Sequence, residues 1–289
     1  MVNRVIFIAF VIFSGLHMFK VQSVASFSEQ LLEVHFIDVG QGDSIYIKTP
    51  ENKHILVDGG PPEAGQPVID YLEEQGVTTI DLMIATHPHY DHIGGLIKVI
   101  EEIPTQKIVQ TDIIHPTKTY FLYMYQLWKQ MIPVNIPVHK ELILKEDGLS
   151  LKILKANTEN PTINNSSLGL KLRNQDVNIL LLSDLEITAE KYLQQHTELN
   201  GDIVKIAHHG SRTSSSFDFL RQIDPKVAII TYGRNNKFGH PHRRVVENIN
   251  FLDTSIYSTA SFGNIVVTSN GKHYFVTPMN NPLERVFTQ

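Results

Sequence analysis

The sequence predicts an α/β protein in which two mixed sheets pack face to face and helices flank them on the outside. Three observations lead there. The chain reads as two strand-rich halves with helices after their strands, and sheets that are apolar on one face bury it against one another. No Pro/Gly/Ser-rich linker divides the halves, so residues 32–289 form one domain. Seven of the 14 histidines fall in three windows, 87–92, 208–209 and 240–242. Each window sits at the end of a predicted strand or in the loop beyond it, where sheet proteins place their chemistry.

The first half opens on the strand Leu32 to Ile37 and the turn Asp38 to Asp43. Ser44 to Lys48 alternates as a second strand, and His54 to Asp58 returns as a third. Gly59-Gly60-Pro61-Pro62 breaks it. Pro67 to Gln75 reads as a helix stopped by Gly76, Ile80 to Ala85 as a strand entering the first histidine window, and Ile93 to Glu102 as a helix leaving it. Thr117 to Met131 is an aromatic-rich helix expected to bury one face.

In the second half, Leu149 to Ala156, Leu168 to Leu172 and Val177 to Leu182 are strands, followed by a helix from Glu186 to Gln195. Ile203 to Ala207 is a strand ending at His208-His209. Phe217 to Gln222 and Arg243 to Phe251 are helices around a buried strand, Lys226 to Ile230, and strands at 265–267 and 274–276 close the sheet.

The N-terminus follows a different logic. Arg4 precedes the apolar run Val5 to Gly15, and the small residues Ser23 and Ala25 fit a signal-peptidase site. Residues 1–25 are therefore expected to be a cleaved signal peptide and 26–31 a short leader. The run is short for a spanning helix and is interrupted by His17 and Lys20, so export is favoured over a membrane anchor. A secreted protein with no stable membrane partner is the expectation. The chain carries −5, which becomes −7 once Arg4 and Lys20 are removed. That balance argues against a protein that coats nucleic acid, although a local basic patch stays open. There is no cysteine, so metal ligands must be His, Asp or Glu, a set that suits hydrolysis better than redox work.

Such a set is concentrated in His87-Pro88-His89-Tyr90-Asp91-His92. In an extended segment residues i and i+2 point the same way, so His87 and His89 can grip one cation. Asp91 and His92 sit where the chain turns into the next helix and can reach a second. Imidazole and carboxylate together suit Zn²⁺, Mn²⁺ or Fe²⁺. Gly94-Gly95 lets backbone approach closely.

This segment resembles the His-x-His-x-Asp-His signature of the metallo-β-lactamase superfamily. Further blocks, Phe36 to Ser44, Ile55 to Gly60, Leu180 to Glu186, His208-His209-Gly210-Ser211 and Gly239-His240-Pro241-His242, follow in the order of the ComEC competence-protein branch, specifically its hydrolase-like domain. The chain is similar to a stand-alone, secreted form of that domain. The resemblance implies a metallo-β-lactamase αββα sandwich. It implies two divalent metal ions, Zn²⁺ or Mn²⁺, with His87 and His89 on one and Asp91 and His92 on the other. Asp184 would bridge them, and His208 or His209 would complete the second site, the sequence leaning to His208. His209 and His240 then remain, with Asp91 and Asp184, as catalytic groups. The superfamily's third histidine for the first metal is missing, since Asn164-Asn165-Ser166-Ser167-Leu168 stands in its place. His115 is a conceivable substitute, but a surface role is favoured. Asp58 above all, and Asp38 and Asp43 where they do not simply cap their turn, are expected behind the ligands, fixing their tautomers.

A bridging water activated by two cations serves hydrolysis directly. No Gly-x-Ser-x-Gly and no P-loop is present. Lys205, Arg212, Arg234, Lys237, Arg243 and Arg244 flank the site motifs and are expected to form a cationic rim for an anionic substrate, a small phosphodiester or nucleic acid. Hydrolysis of carboxylic esters, lactones or β-lactams, and a non-catalytic metal-binding role, are the alternatives. The sequence does not fix an oligomeric state.

Overall fold

A computed structural model describes residues 31–159 and 161–280. The expected signal peptide and most of the leader lie outside the described residues. Among those described, no helix is long and apolar enough to cross a membrane.

In chain order the first half holds β1 (Leu32–Phe36), β2 (Ile45–Lys48), β3 (His54–Val57), α1 (Gly65–Glu74), β4 (Leu82–Ala85), α2 (Tyr90–Ile93), α3 (Leu96–Glu102), β5 (Ile108–Gln110), α4 (Lys118–Gln130) and β6 (Val134–Asn135). The second holds β7 (Leu142–Glu146), β8 (Leu149–Leu154), β9 (Gly169–Asn174), β10 (Val177–Leu181), α5 (Ile187–His196), β11 (Ile203–Lys205), α6 (Phe217–Ile223) and β12 (Val227–Ile230). Then come α7 (Arg243–Phe251), β13 (Ser255–Ser258), α8 (Thr259–Phe262), β14 (Ile265–Ser269) and β15 (Tyr274–Pro278).

One sheet runs β15-β14-β1-β2-β3-β4-β5-β6 and the other β13-β12-β11-β10-β9-β8-β7. Both are mixed, with β3 to β6 parallel in the first and β10 to β13 parallel in the second. Alternation along the antiparallel strands explains the packing. Val34, Phe36, Ile45 and Ile47 meet Leu151, Ile153, Leu170 and Leu172 in the core between the sheets. The opposite face of the first sheet packs against α1, α3 and α4, and that of the second against α5, α6 and α7. The four layers are the predicted helix–sheet–sheet–helix sandwich.

The strands β5, β6, β7 and β13 have no counterpart in the sequence expectation. Three of them are five residues or fewer without clean alternation, and β6 is two residues long. The helix expected from Ile93 to Glu102 divides into α2 and α3 and begins earlier, at Tyr90, so Asp91 and His92 lie on helix rather than before it. The break falls at Gly94-Gly95, where Gly95 N–H donates to Gly60 O at 3.0 Å. A Cβ on Gly95 would run into the Gly59 carbonyl oxygen, and one on Gly59 would sit 2.7 Å from Leu96 N. Two glycines thus let the β3 turn and the helix after the first histidine window touch backbone to backbone, which locks the histidines to the sheet.

In α4, Tyr123, Gln126 and Leu127 are buried, whereas Phe121, Tyr125 and Trp128 are exposed. The helix buries one face as expected, with three of its five aromatic side chains exposed on the other.

Gly95→Ala should therefore destabilise the fold by about 1–3 kcal/mol, as an overpacked contact does. The midpoint of urea unfolding measures it. An unchanged midpoint would show that the two turns can part without cost.

Candidate metal centre

The site lies where β4, β10, β11 and β12 end, with α2 beside them. Thr86 and His87 follow β4, Ser183 and Asp184 follow β10, His208 and His209 follow β11, and Thr231 follows β12. Parallel strands ending side by side bring all three histidine windows together.

His87 Nε2 and His89 Nδ1 face each other at 3.0 Å. Asp184 stands between two groups of imidazoles. Its Oδ2 lies 3.7 Å from His87 Nε2 and 3.6 Å from His208 Nε2. Its Oδ1 lies 3.4 Å from His92 Nε2 and 3.7 Å from His209 Nε2. Asp91 joins the second group, with Oδ2 3.5 Å from His209 Nε2. Asp184 is not the N-cap of α5. That helix is capped by Asn165, whose Oδ1 accepts from Glu186 N and Ala189 N, each at 3.2 Å.

The outward nitrogens are committed elsewhere, and this sets the tautomers. His92 Nδ1 donates to Asp58 Oδ2 at 2.8 Å and His209 Nδ1 to Thr231 O at 2.9 Å. Both Nε2 atoms are thereby left with a lone pair directed inward. Asp58 is fixed in turn by Thr86 N at 2.8 Å and Thr86 Oγ1 at 2.6 Å. Burial raises its pKa above the usual carboxylate value, against the pull of His92.

His92 Nε2, His209 Nε2 and Asp184 Oδ1 are buried and have no hydrogen-bond partner among the described residues. Buried polar atoms are normally paired. Three such atoms converging, two lone pairs and a carboxylate oxygen, fit a divalent cation. His87, His92 and Asp184, and likewise Asp91, His92 and His209, bring their ligand atoms within 4.8 Å of one another. Charge agrees with geometry. Burial alone would lower the pKa of His92, but Asp184 and Asp58 carry it well above its ordinary value. Burial would raise Asp184, but His92 and His209 hold it well below. The carboxylates thus demand positive charge here, which a cation can supply in place of that proton.

Several expectations are corrected. The histidine on the Asp91/His92 side is His209, not His208. His209 is fully buried, with Nδ1 held by Thr231 O and Nε2 turned into the cluster without a hydrogen-bond partner among the described residues. His208 lies instead on the Oδ2 side with His87, on the side of the missing histidine, and is partly exposed with Glu186 Oε1 3.8 Å from its Nδ1. His115 is 5.6 Å from the His89 ring, centroid to centroid. Asp38 is exposed and accepts from Gly40 N at 3.2 Å within its own turn. Asp43 stands behind the ligands. It lies 3.9 Å from His92 Nδ1 and 3.5 Å from His209 Nδ1, accepts from Thr231 Oγ1 at 2.5 Å and pairs with the Lys205 ammonium. Lys205 is fully buried and is therefore no part of a rim. The signal for it was a lone cation inside the apolar strand Ile203 to Ala207.

Of the remaining rim cations, Arg244 donates to the carbonyls of Arg212, Ser214 and Ser215, and Arg234 to that of Ala260. These two hold loops. Arg243 pairs with Glu247 at 2.7 Å on the surface. Arg212 and Lys237 are exposed and form no ion pair among the described residues. His240 stacks between Phe238 and His209, 5.6 and 6.1 Å away centroid to centroid. Burial, then the neighbouring His209 and His208, lower its pKa to about 4. It is neutral at pH 7, so it can offer a substrate one N–H and one lone pair.

Residues 37–234 match the metallo-beta-lactamase superfamily model. The ComE operon protein 3 of Bacillus subtilis is 28% identical over 81% of this chain, which covers 32% of that protein. Recombination protein 2 of Haemophilus influenzae is 28% identical over 83% of this chain and 29% of its own length. The chain thus spans about a third of the length of these relatives. Among solved structures, the CmlA β-hydroxylase superposes with a TM-score of 0.54 at 12% identity, over 81% of this chain and 53% of that one.

Two predictions follow from the geometry. His209→Ala should lose one equivalent of bound Zn²⁺, whereas His208→Ala should keep that equivalent and weaken the other by about 10–100-fold. Calorimetric titration distinguishes them, and the reverse pattern would restore His208 to the Asp91/His92 side. Lys205→Met should cost about 3–5 kcal/mol at pH 7, because it leaves Asp43 buried without its cation. Burial pushes the Asp43 pKa up, yet Lys205, His209 and His92 hold it below the usual value. Its stabilising contribution is thus present above the unfolded pKa and lost as pH falls through the folded one. Without Lys205 the folded pKa rises, so the variant's deficit should shrink as pH is lowered and Asp43 takes up a proton. A deficit independent of pH would mean that packing, not charge, is what Lys205 supplies.

Proposed function

This chain belongs to the metallo-beta-lactamase superfamily, and from its site we propose that it hydrolyses phosphodiesters, nucleic acid strands among them, with two divalent cations. The observation that carries the reading is Asp184, one oxygen toward each group of imidazoles, with unpartnered buried atoms converging beside it. A chain with no P-loop, no serine nucleophile motif and no cysteine has this cluster as its chemical equipment.

His87 and His89, assisted by His208, would hold one cation, and Asp91, His92 and His209 the other, with Asp184 shared. When bound, such a pair of cations supplies an activated water near neutral pH and neutralises charge growing on a phosphoryl oxygen. The protein's own groups do the rest. Asp58 and Thr231 hold His92 and His209 in one tautomer and one orientation. Neutral His240, stacked over His209 and half-exposed, is placed to donate a hydrogen bond to a substrate oxygen. Arg212 and Lys237 are free to meet an anionic group. The names of the relatives, competence and recombination proteins, favour a nucleic acid over a lactam as the substrate. Fold alone does not choose the chemistry, as the β-hydroxylase with the same sandwich illustrates. The same reading has the chain exported on its first 25 residues and working on substrates outside the cell.

Metal-loaded protein should turn over bis(p-nitrophenyl) phosphate and single-stranded DNA but not nitrocefin. Turnover of nitrocefin alone would replace the phosphodiester with an amide or ester. Asp184→Asn, which keeps the shape but removes the shared charge, should lower kcat on the best substrate by about 10³-fold, the scale of losing one charge-stabilising group. Its thermal midpoint should move little. Near-normal turnover in that variant would end the two-cation reading.

A further inference from the structure

A groove of about 570 Å³ opens on the outer face of the second sheet, and no residue of the metal-centre cluster lines it. Its floor is β8, β9 and β10, and its walls are Lys140 before β7 and residues 197–200 after α5. The helix layer explains why it is open. α5, α6 and α7 cover Leu180, Val204 and Ala228 of β10 to β12. Beside them the outer faces of β8 and β9 are lined by charge. With Leu151, Ile153, Leu170 and Leu172 facing the core, alternation turns Lys152, Lys171 and Arg173 outward.

This arrangement costs stability. The register places Lys152 directly opposite Lys171, with Arg173 opposite Ser150 two residues on. Like charges facing each other across an antiparallel pair are destabilising. Lys140, Lys152, Lys171 and Arg173 form no ion pair among the described residues, although Asp176 and Glu198 also line the groove. Four cations against two acids gather here in a chain of net charge −5. The ammonium of Lys171 is held in place by Glu198 O at 3.0 Å and by Asn200 Oδ1. Burial, then the nearby Arg173 and Lys152, against the pull of Glu198, lower its pKa. Lys171 and Arg173 stand about 7 Å apart along one strand, with Lys152 about 5 Å across from Lys171. The charges form a ladder rather than a single chelating point, a match for an extended anion and not for one phosphate.

We propose that this groove is a second substrate-binding site, which holds the phosphate backbone of a single-stranded nucleic acid beyond the bond that is cut. It rests on the phosphodiesterase reading above and adds a site to it.

The test uses the full chain and a fluorescein-labelled 20-nucleotide oligo-dT, followed by anisotropy in the Asp184→Asn background so that cleavage is slow against the measurement. Adding Lys140→Gln, Lys152→Gln and Arg173→Gln should weaken binding about tenfold or more. It should also flatten the log–log salt slope by about 2, since each single-strand phosphate contact contributes roughly −0.7. With Asp184 intact, the triple variant should turn over bis(p-nitrophenyl) phosphate at the wild-type rate, because none of the three substituted residues belongs to the histidine cluster. Lys152→Gln alone removes a like-charge contact, so it should weaken binding while holding or raising the thermal midpoint. A merely structural lysine would lower the midpoint. Unchanged affinity and slope in the triple variant, or no affinity for oligo-dT in the parent, overturns the groove. Failure of the loaded wild type on bis(p-nitrophenyl) phosphate instead overturns the phosphodiesterase reading, whatever the groove does.

Discussion

Charge balance among buried carboxylates is the constraint on which this site depends. Asp43, Asp58 and Asp184 are almost wholly inaccessible, and Asp91 lies beside them. Burying an unpaired carboxylate costs several kcal/mol, so each needs a positive neighbour or a proton. The structure divides the task by position. Behind the imidazoles, Lys205 neutralises Asp43 permanently, and Asp58 shares the proton on His92 Nδ1. In front of them, Asp184 and Asp91 face only lone pairs and partly neutralised imidazoles, and that half of the cluster is left for cations to balance.

Holding these groups in register requires unusual backbone. Asp58, Ser183, His208, His209 and Ser215 all adopt positive φ, between 45° and 55°. For residues with a Cβ this conformation costs about 1–2 kcal/mol each. It survives where surrounding bonds over-determine it. Ser183 Oγ donates to Thr86 Oγ1 at 2.7 Å, linking the end of β10 to the end of β4. The loop after His209 is gripped from two sides, by the buried carboxylate of Glu190 at Ser215 N and Ser216 N and by Arg244 at three carbonyls. Arg244 serves the site by fixing the loop that aims its histidines.

What could be read from the sequence follows from how local each signal is. The sandwich was legible because alternation and strand-end glycines are local, and the first histidine window because four ligand types crowd six residues. The choice between His208 and His209 was not legible. It depends on two consecutive left-handed residues and on Thr231, which lies on another strand. Asp38 and Asp43 frame the same turn and look equivalent in sequence. Only the path of β11, which delivers Lys205 beneath Asp43, separates them. The rim lost three of its six cations for a related reason: a cation near a motif in sequence can be buried, as Lys205 is, or spent on backbone carbonyls, as Arg234 and Arg244 are.

The acidic net charge and a polyanionic substrate are compatible once distance is considered. At physiological ionic strength charges farther apart than about 8 Å are largely screened. The chain's diffuse excess of carboxylates is therefore weak at the range where a phosphate chain docks, while cations in direct contact keep their full effect. Spreading acids over the surface and concentrating unpaired cations in one groove discourages coating by nucleic acid and still permits a defined track.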